Sequence, residues 1–545
     1  MVSSVFLWLG MAVYLLLVLG TAIVVLLENR QPERTIAWIV ALVLLPVVGL
    51  VAFYFFGRNI RRPRLLVRAT RRQEGRKRVP PRQQRSTIRT AGGVSDAWRG
   101  LASLCAEGFG AQMDTATDIR IFTDGTALLQ DLIEAFDEAK RSILLETYII
   151  EDDSVGRRVA DALARAAKRG VEVRLLYDDV GCWRVPTRFF RRMERAGVHT
   201  AAFLPVRFPA LTHKVNYRNH RKLCIVDGTT GFIGGMNLAE RYLGREDFTW
   251  RDLHLSLHGT LVARMAHVFL SDWAFVKGEL GARNEDLGIG QTKSGIRNEE
   301  LGIKPREYGM RNEELGIKPT ATAADENQAV SSRSPIPNSS FLTPHSPSRS
   351  PIPHSSFLIP NSEAVPVQLV TNDPTTPHPQ LMYAYTWAAM HARKYLYVET
   401  PYFMPTEPFL QALKTAAMSA VDVRLCLPRK PDGRTLRWIN DSYITELLQA
   451  GVRVYMYDGG FLHTKCIVAD DAWCAVGSAN IDFRSFLNNI EVSALVYDAD
   501  TAARIRLVAE ADMKHSQEVD ADRWARRPLR RRLLESATRI IAPLF

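Results

Sequence analysis

Two stretches of the chain carry the same chemical groups in the same order. The first reads "NHRKLCIVDGTTGFIGGMN" from Asn219 to Asn237, and the second "LHTKCIVADDAWCAVGSAN" from Leu462 to Asn480. Each contains H-x-K-x-x-x-x-D: His220, Lys222 and Asp227 in one, His463, Lys465 and Asp470 in the other. Each closes on G-[GS]-x-N: Gly234, Gly235 and Asn237, then Gly477, Ser478 and Asn480. Residues two apart in a strand share a face, so each His and Lys should point into one site. The small residues that follow should let backbone come close to a ligand.

This set suits phosphodiester exchange. One histidine attacks phosphorus and holds it covalently, while the other protonates the departing oxygen and then deprotonates the incoming alcohol. Two lysines and two asparagines stabilise charge on the equatorial oxygens. The lysines supply positive charge without a metal or cofactor, and a metal-ligand spacing such as H-E-x-x-H is absent. One such motif in 545 residues would carry little weight. Two, with the same tail, inside matching repeats, carry much more.

The elements around the motifs repeat too. "SILLETYIIEDD" (residues 142–153) reads as an apolar strand, "VGRRVADALARAAKRG" as a helix ending at Gly170, and "VEVRLLYDDVG" as a strand. "KYLYVETPYFMP", "EPFLQALKTAAMSA" and "VDVRLCLP" repeat that order later. An acid inside the first strand recurs (Glu146, Glu399), with an aromatic soon after (Tyr148, Tyr402). Strand–helix–strand units predict a parallel sheet, and hence two copies of one α/β domain over residues 112–276 and 365–528.

Residues 4–27 and 35–56 contain no charged side chain, and each is long enough to cross ~30 Å of hydrocarbon as a helix. With the short polar "ENRQPER" between them they predict a membrane hairpin over residues 1–57. The following tether, residues 58–111, opens with thirteen Lys or Arg and one acid, Glu74, between Arg58 and Arg89. By the positive-inside rule both ends of the hairpin and the catalytic part face the cytoplasm. The formal charge of +12 calls for an acidic partner, and the basic stretch can lie on anionic headgroups. Six scattered cysteines with no C-x-x-C pair predict neither a disulfide framework nor a zinc site.

Between the repeats, "RNEDLGI", "RNEELGI" and "RNEELGI" begin at Arg283, Arg297 and Arg311, and two Ser/Pro-rich units follow at 332–347 and 348–363. Residues 277–364 therefore read as a disordered insert. One back-translation of RNEELGI, reverse-complemented, gives NSQFLIP, close to a composite NSSFLIP. We read the insert as a translated inverted repeat whose deletion over 280–362 should spare activity. The closing segment 529–545 mixes cations with Leu, Ile and Phe; a helix in the membrane interface and a helix packed on the second domain are both open.

The duplicated motif resembles the signature of the phospholipase D superfamily, and the likeness covers nearly all of the chain outside the insert. "PERTIAWIVALVLLPVVGLVAFYFFGR", "WRDLHLSLHG", "ETPYFMP", "GSANIDFRSFLNNIEVSALVYD" and the final "APLF" are similar to bacterial cardiolipin synthases in particular. The resemblance implies two tandem α/β/α sandwich domains forming one pseudo-twofold site. It implies transfer of a phosphatidyl group from one phosphatidylglycerol to another at a cell membrane, with no cofactor; the membrane hairpin, and a positive excess beside it instead of beside the motifs, argue against nucleic acid as partner. His220 and His463 are implied as nucleophile and general acid/base, with His220 favoured as nucleophile. Lys222 and Lys465 would bind phosphate with Asn237 and Asn480, and Asp227 and Asp470 would brace the motif. Asp252 and Glu491, at similar distances after the two motifs, are expected each to hydrogen-bond a catalytic histidine. Tyr402 and Arg484 are expected to line the substrate channel. Phosphatidylethanolamine or water as acceptor, and a nuclease built on the same site, remain open, as does the oligomeric state.

Overall fold

A computed structural model describes residues 93–206, 217–244, 249–278, 363–376 and 378–542, with residues 8, 16–23, 38–42, 49–50 and 53 near the N-terminus. The expected membrane hairpin lies largely, and the basic stretch 58–89 and the repeats at 283–362 wholly, outside the described residues. Among the described residues no helix is long and apolar enough to cross a membrane.

The first half contributes β1 (Met113–Phe122), β2 (Ser142–Thr147), β3 (Glu172–Asp178), β4 (His199–Phe203), β5 (Leu223–Val226), β6 (Thr230–Gly234), β7 (Trp250–Arg251) and β8 (His254–His258). The second contributes β9 (Val365–Asn372), β10 (Tyr395–Glu399), β11 (Asp422–Pro428), β12 (Arg453–Tyr457), β13 (Phe461–Leu462), β14 (Cys466–Ala469), β15 (Trp473–Gly477), β16 (Glu491–Val496) and β17 (Ser516–Glu518). Read outward from the middle, the halves have the same order: β1-β8-β6-β5-β2-β3-β4 and β9-β16-β15-β14-β10-β11-β12, with β17 added at the far edge. An antiparallel seam joins them into one sheet, Met113 opposite Gln368 and Ala116 opposite Val365.

The central strands are apolar on both faces because helices cover both. Ile143 and Leu145 of β2 enter one core with α1 (Gly125–Glu138), α2 (Ser154–Lys168) and α3 (Thr187–Arg195). Leu144 enters another, shared by the halves, under α4 (Thr260–Lys277) and α8 (Ala499–Lys514). α5 (Gln380–His391), α6 (Glu407–Met418) and α7 (Arg434–Gln449) cover the second half opposite α8. The result is an α/β/α sandwich. All six cysteines are free and buried.

Some element ends differ from the sequence reading. β2 stops at Thr147 instead of running to Asp153. Ile150 leaves it to bridge Leu238, and the Asp153 carboxylate accepts the Val155 and Gly156 N–H groups, capping α2. The C-terminal segment forms α9 (Leu529–Ile541) against α7, through ion pairs from Arg531 to Asp441 (2.8 Å) and Arg539 to Glu446 (2.7 Å).

Candidate active site

His220 and Lys222 lie just before β5, and His463 and Lys465 just before β14, in extended chain rather than inside the strands as expected. What holds these lead-ins is the other half of the molecule. His220 N donates to Ile490 O (2.9 Å) and Ile490 N to Arg218 O (2.9 Å). On the other side β13 pairs in parallel with β7, and His463 N donates to Arg251 O (2.7 Å). Each histidine segment is thus zipped to the chain that directly precedes an acid of the opposite half.

The pairing of side chains follows. His220 Nδ1 lies 3.0 Å from Glu491 Oε2, and His463 Nδ1 lies 2.7 Å from Asp252 Oδ2. For His220, whose Nδ1 meets only the carboxylate, this fixes the tautomer that leaves Nε2 with its lone pair. Glu491 also accepts from Ser478 Oγ (2.5 Å), Ser485 Oγ (2.8 Å) and Asn489 Nδ2 (3.2 Å). Burial pushes the Glu491 carboxyl up, but His220, Lys222 and the Ser478 hydroxyl together hold it below its ordinary value. Asp252 has fewer donors, and burial keeps it above its ordinary value against the pull of Lys465.

Burial depresses the four basic groups. It brings His220 down to about 4 although Glu491 opposes, and Lys222 down to about 7. His463 falls well below its ordinary value through burial and then through Lys465, and burial lowers Lys465 despite Asp252. Lys222 and Lys465 each disfavour the charge of the group across the site, so the two motifs converge. Lys222 Nζ donates to His220 O (2.6 Å) and stands 5.3 Å above the Tyr148 ring, which packs edge-on to His220 at 4.8 Å. Lys465 Nζ likewise donates to His463 O, but it also stands 2.8 Å from His463 Nδ1 and 3.5 Å from Asp252 Oδ2. The two histidines are therefore inequivalent: one faces a well-ionised carboxylate, the other a carboxylate and an ammonium.

The family model described as "Cardiolipin synthase, PLD-like domain" matches residues 132–273 and 387–513, the two halves just described. "Phospholipase_D-nuclease N-terminal" matches residues 15–58. Cardiolipin synthase 2 of Bacillus anthracis is 33% identical over 532 residues, covering 96% of this chain and 89% of the relative. The chain belongs to the cardiolipin synthase family. The major cardiolipin synthase of Bacillus subtilis (strain 168) is 30% identical, covering 98% of each chain. The crystal structure of phosphatidylserine synthase from Haemophilus influenzae shares the fold at 12% identity, with a TM-score of 0.53 over 79% of this chain and 97% of that one.

In this family member the remaining motif residues sort by what they touch. Asp227 and Asp470 are not brought beside the histidines. At the far end of β5, Asp227 accepts the backbone N–H groups of Lys140, Arg141 and Ser142 (2.7–3.0 Å). Asp470 accepts those of Arg393, Lys394 and Tyr395 (2.8–3.0 Å). Each ties its strand to the start of the neighbouring one. The small residues make room for protein rather than for a ligand. A Cβ on Gly235 would fall 2.2 Å from Asp252 Oδ1, and one on Gly477 or Gly234 would strike the adjacent strand. At the position matching Gly235, the second half has Ser478, whose hydroxyl instead donates to Glu491.

Asn237 is fully engaged: Oδ1 accepts from Ile149 N (3.2 Å), and Nδ2 donates to the Tyr242 hydroxyl (2.9 Å), which reaches His463 Nδ1 at 3.2 Å. Asn480 differs. Its backbone N donates to Ser485 Oγ, and its buried Oδ1 has no partner among the described residues. Tyr402 packs edge-on to His463 at 6.4 Å and donates to Asp432, while the charge of Arg484 reaches the Tyr148 hydroxyl.

Sequence reasoning missed Tyr242 and a second ring of charge. Buried Glu146 faces Asp272, with Arg221 ion-paired to Asp272 and donating to Glu491 O (3.2 Å). Buried Glu399 faces Asp512, with Arg251 paired to Asp512 at 2.9 Å. Both halves set one guanidinium against two acids, but the second half borrows its arginine from the first. The recurring strand acids Glu146 and Glu399 were one sequence signal for this, and Arg221 and Arg251 beside motif residues were another.

Proposed function

We propose that this cardiolipin synthase family member transfers a phosphatidyl group from one phosphatidylglycerol to the headgroup hydroxyl of another, releasing glycerol. The observation that carries the reading is the exchange of acids, Glu491 on His220 and Asp252 on His463, around two buried lysines. His220 Nε2 attacks phosphorus. The P–O bond to the donor's glycerol breaks, and His463 gives that oxygen its proton. The second phosphatidylglycerol then loses its hydroxyl proton to His463 and attacks phosphorus, the P–N bond breaks, and His220 is restored. Two phosphatidylglycerols become one cardiolipin and one glycerol.

His220 is the nucleophile in this reading because the ammonium of Lys465 beside His463 Nδ1 weakens that ring as a base, whereas His220 meets only Glu491 there. An anionic phosphodiester between Lys222 and Lys465 draws the ammonium groups to itself and raises the proton affinity of His463. Asn237 acts through Tyr242. The apolar stretches 4–27 and 35–56, followed by the basic stretch, support a membrane anchor with the catalytic halves on the cytoplasmic side.

Purified protein added to phosphatidylglycerol vesicles should yield cardiolipin and free glycerol in equal amounts, and His220→Ala and His463→Ala should abolish both. Phosphatidic acid without cardiolipin would make the enzyme a hydrolase and overturn the proposal.

A further inference from the structure

α9 is an amphipathic helix mounted the wrong way round. At ~100° per residue its faces are easily assigned. Glu535 and Thr538 are buried and Arg531 and Arg539 partly so, all within about a third of the circumference. That face meets α7: Arg531 pairs with Asp441, Arg539 pairs with Glu446, and the Arg539 guanidinium lies 4.1 Å from the Tyr443 ring centre, while Arg527 and Arg531 also pair with Glu535 of α9 itself. The inward face is the charged one.

The opposite face is apolar. Leu529, Leu533 and Ile540 are 68%, 61% and 78% exposed, and with Ala537 they fall on one stripe centred opposite the α7 contact. Leu534 is exposed beside the stripe, and exposed Arg530 and Arg532 flank it on either side. A stripe of large apolar side chains facing water, bordered by cations, is the layout of a helix lying in a bilayer interface: leucines enter the acyl boundary while the arginines reach back to phosphates. The cations choose between occupants. A second copy of the chain would bring the same arginines against them, whereas an anionic lipid surface complements them. Because α7 and the arginine pairs already fix α9, the stripe is presented rigidly, with no folding cost at contact.

We infer that α9 is a second, in-plane membrane contact that seats the catalytic halves on anionic phospholipid. This rests on the reading that the substrates are bilayer lipids. It assigns the contact to residues 529–540, outside both the N-terminal stretches and the catalytic residues.

The buried native cysteines favour selective labelling at the surface. Full-length Leu533→Cys carrying a polarity-sensitive fluorophore would be reconstituted in vesicles of phosphatidylglycerol. A blue shift with quenching by lipid-borne nitroxides is expected. Water-like emission would overturn the inference, as would a blue shift without lipid quenching, which would mean that another protein surface covers the stripe. The double variant Leu533→Glu/Ile540→Glu should unfold at the wild-type temperature and lose about tenfold of its rate on vesicles, while matching wild type on phosphatidylglycerol dispersed in detergent. Equal rates on vesicles would also overturn it. Failure of the proposed reaction would look different: wild type would make no cardiolipin in either medium.

Discussion

Glu491 and His220 are 271 positions apart in the chain and 3.0 Å apart in space, and they belong to different halves of the molecule. Asp252 and His463 repeat the exchange across 211 positions at 2.7 Å. Neither half holds a complete histidine–carboxylate pair, so the duplicated motif makes one site instead of two.

The first prediction concerns that exchange. Glu491→Gln keeps the shape and the hydroxyl partners but removes the charge that favours an imidazolium at His220. It should lower kcat by about 10²-fold or more with little change in KM, since substrate does not touch the residue. Asp252→Asn should act similarly through His463. Steady-state rates on phosphatidylglycerol decide it; a loss confined to KM would contradict the positioning role.

How much of this was readable in the sequence depends on whether the signal was local. The duplicated H-x-K and the strand–helix–strand order are local, and the two halves were legible from them. That Asp252 and Glu491 meet histidines was readable from their parallel spacing; that each meets the histidine of the other half was not, because it arises from single bridges such as Asn219 to Ile490. Tyr242 was invisible because nothing at its position repeats in the second half. The glycines misled for a physical reason: a missing Cβ marks close approach, and for Gly235 what approaches is the Asp252 carboxylate. In α9 the mixture of cations and leucines was plain, but which face would turn inward depended on the acids of α7.

A second prediction follows from the depressed bases. His220 is held at about 4 against an ordinary 6.5, so between those values the unfolded chain binds a proton that the folded chain does not. Stability should therefore fall as pH drops from 6.5 toward 4, by at most about 3 kcal/mol from this group. Lys222, at about 7 against 10.5, has the same sign at higher pH: its contribution improves from 7 to 10.5. Asp482, lifted to about 6 by burial, works in the opposite sense between 3.8 and 6. Urea midpoints should drop less for His220→Gln than for wild type between pH 7 and 4.5. In activity, kcat/KM should decline above about pH 7 as Lys222 discharges, and Lys222→Arg, if active, should move that limb upward; an unmoved limb would assign it to another group.

A third concerns Arg251, the guanidinium that the first half lends to the second. Arg251→Met leaves Glu399 and Asp512 facing each other without their cation, with Glu399 already lifted to about 8 by burial. The cost should be about 3–5 kcal/mol, and adding Asp512→Asn should recover much of it. Denaturant unfolding of the single and double variants measures the coupling, and additive losses would contradict it.

A fourth revises the expectation for the insert. α4 begins at Thr260, whose Oγ1 accepts from Thr115 N beside the central seam, and runs outward to Phe275, packed 5.5 Å from Phe203 of edge strand β4. The chain must then return to β9 across seven strand spacings of ~4.8 Å, or roughly 34 Å. At ~3.5 Å per residue this needs about ten residues. Outright deletion of 280–362 leaves too few and should abolish folding, whereas replacement by about fifteen Gly/Ser residues should keep cardiolipin formation within twofold of wild type. An active outright deletion would contradict this path.

The most direct test of the account is to catch the covalent step. Phosphatidylglycerol labelled at phosphorus, mixed with enzyme and quenched in alkali within one turnover, should leave labelled phosphorus on the peptide containing His220, deacylated by the alkali, and none on His220→Ala. An adduct on His463 would reverse the roles of the two histidines. Cardiolipin formed at full rate, with no adduct on either peptide, would contradict the two-step exchange altogether.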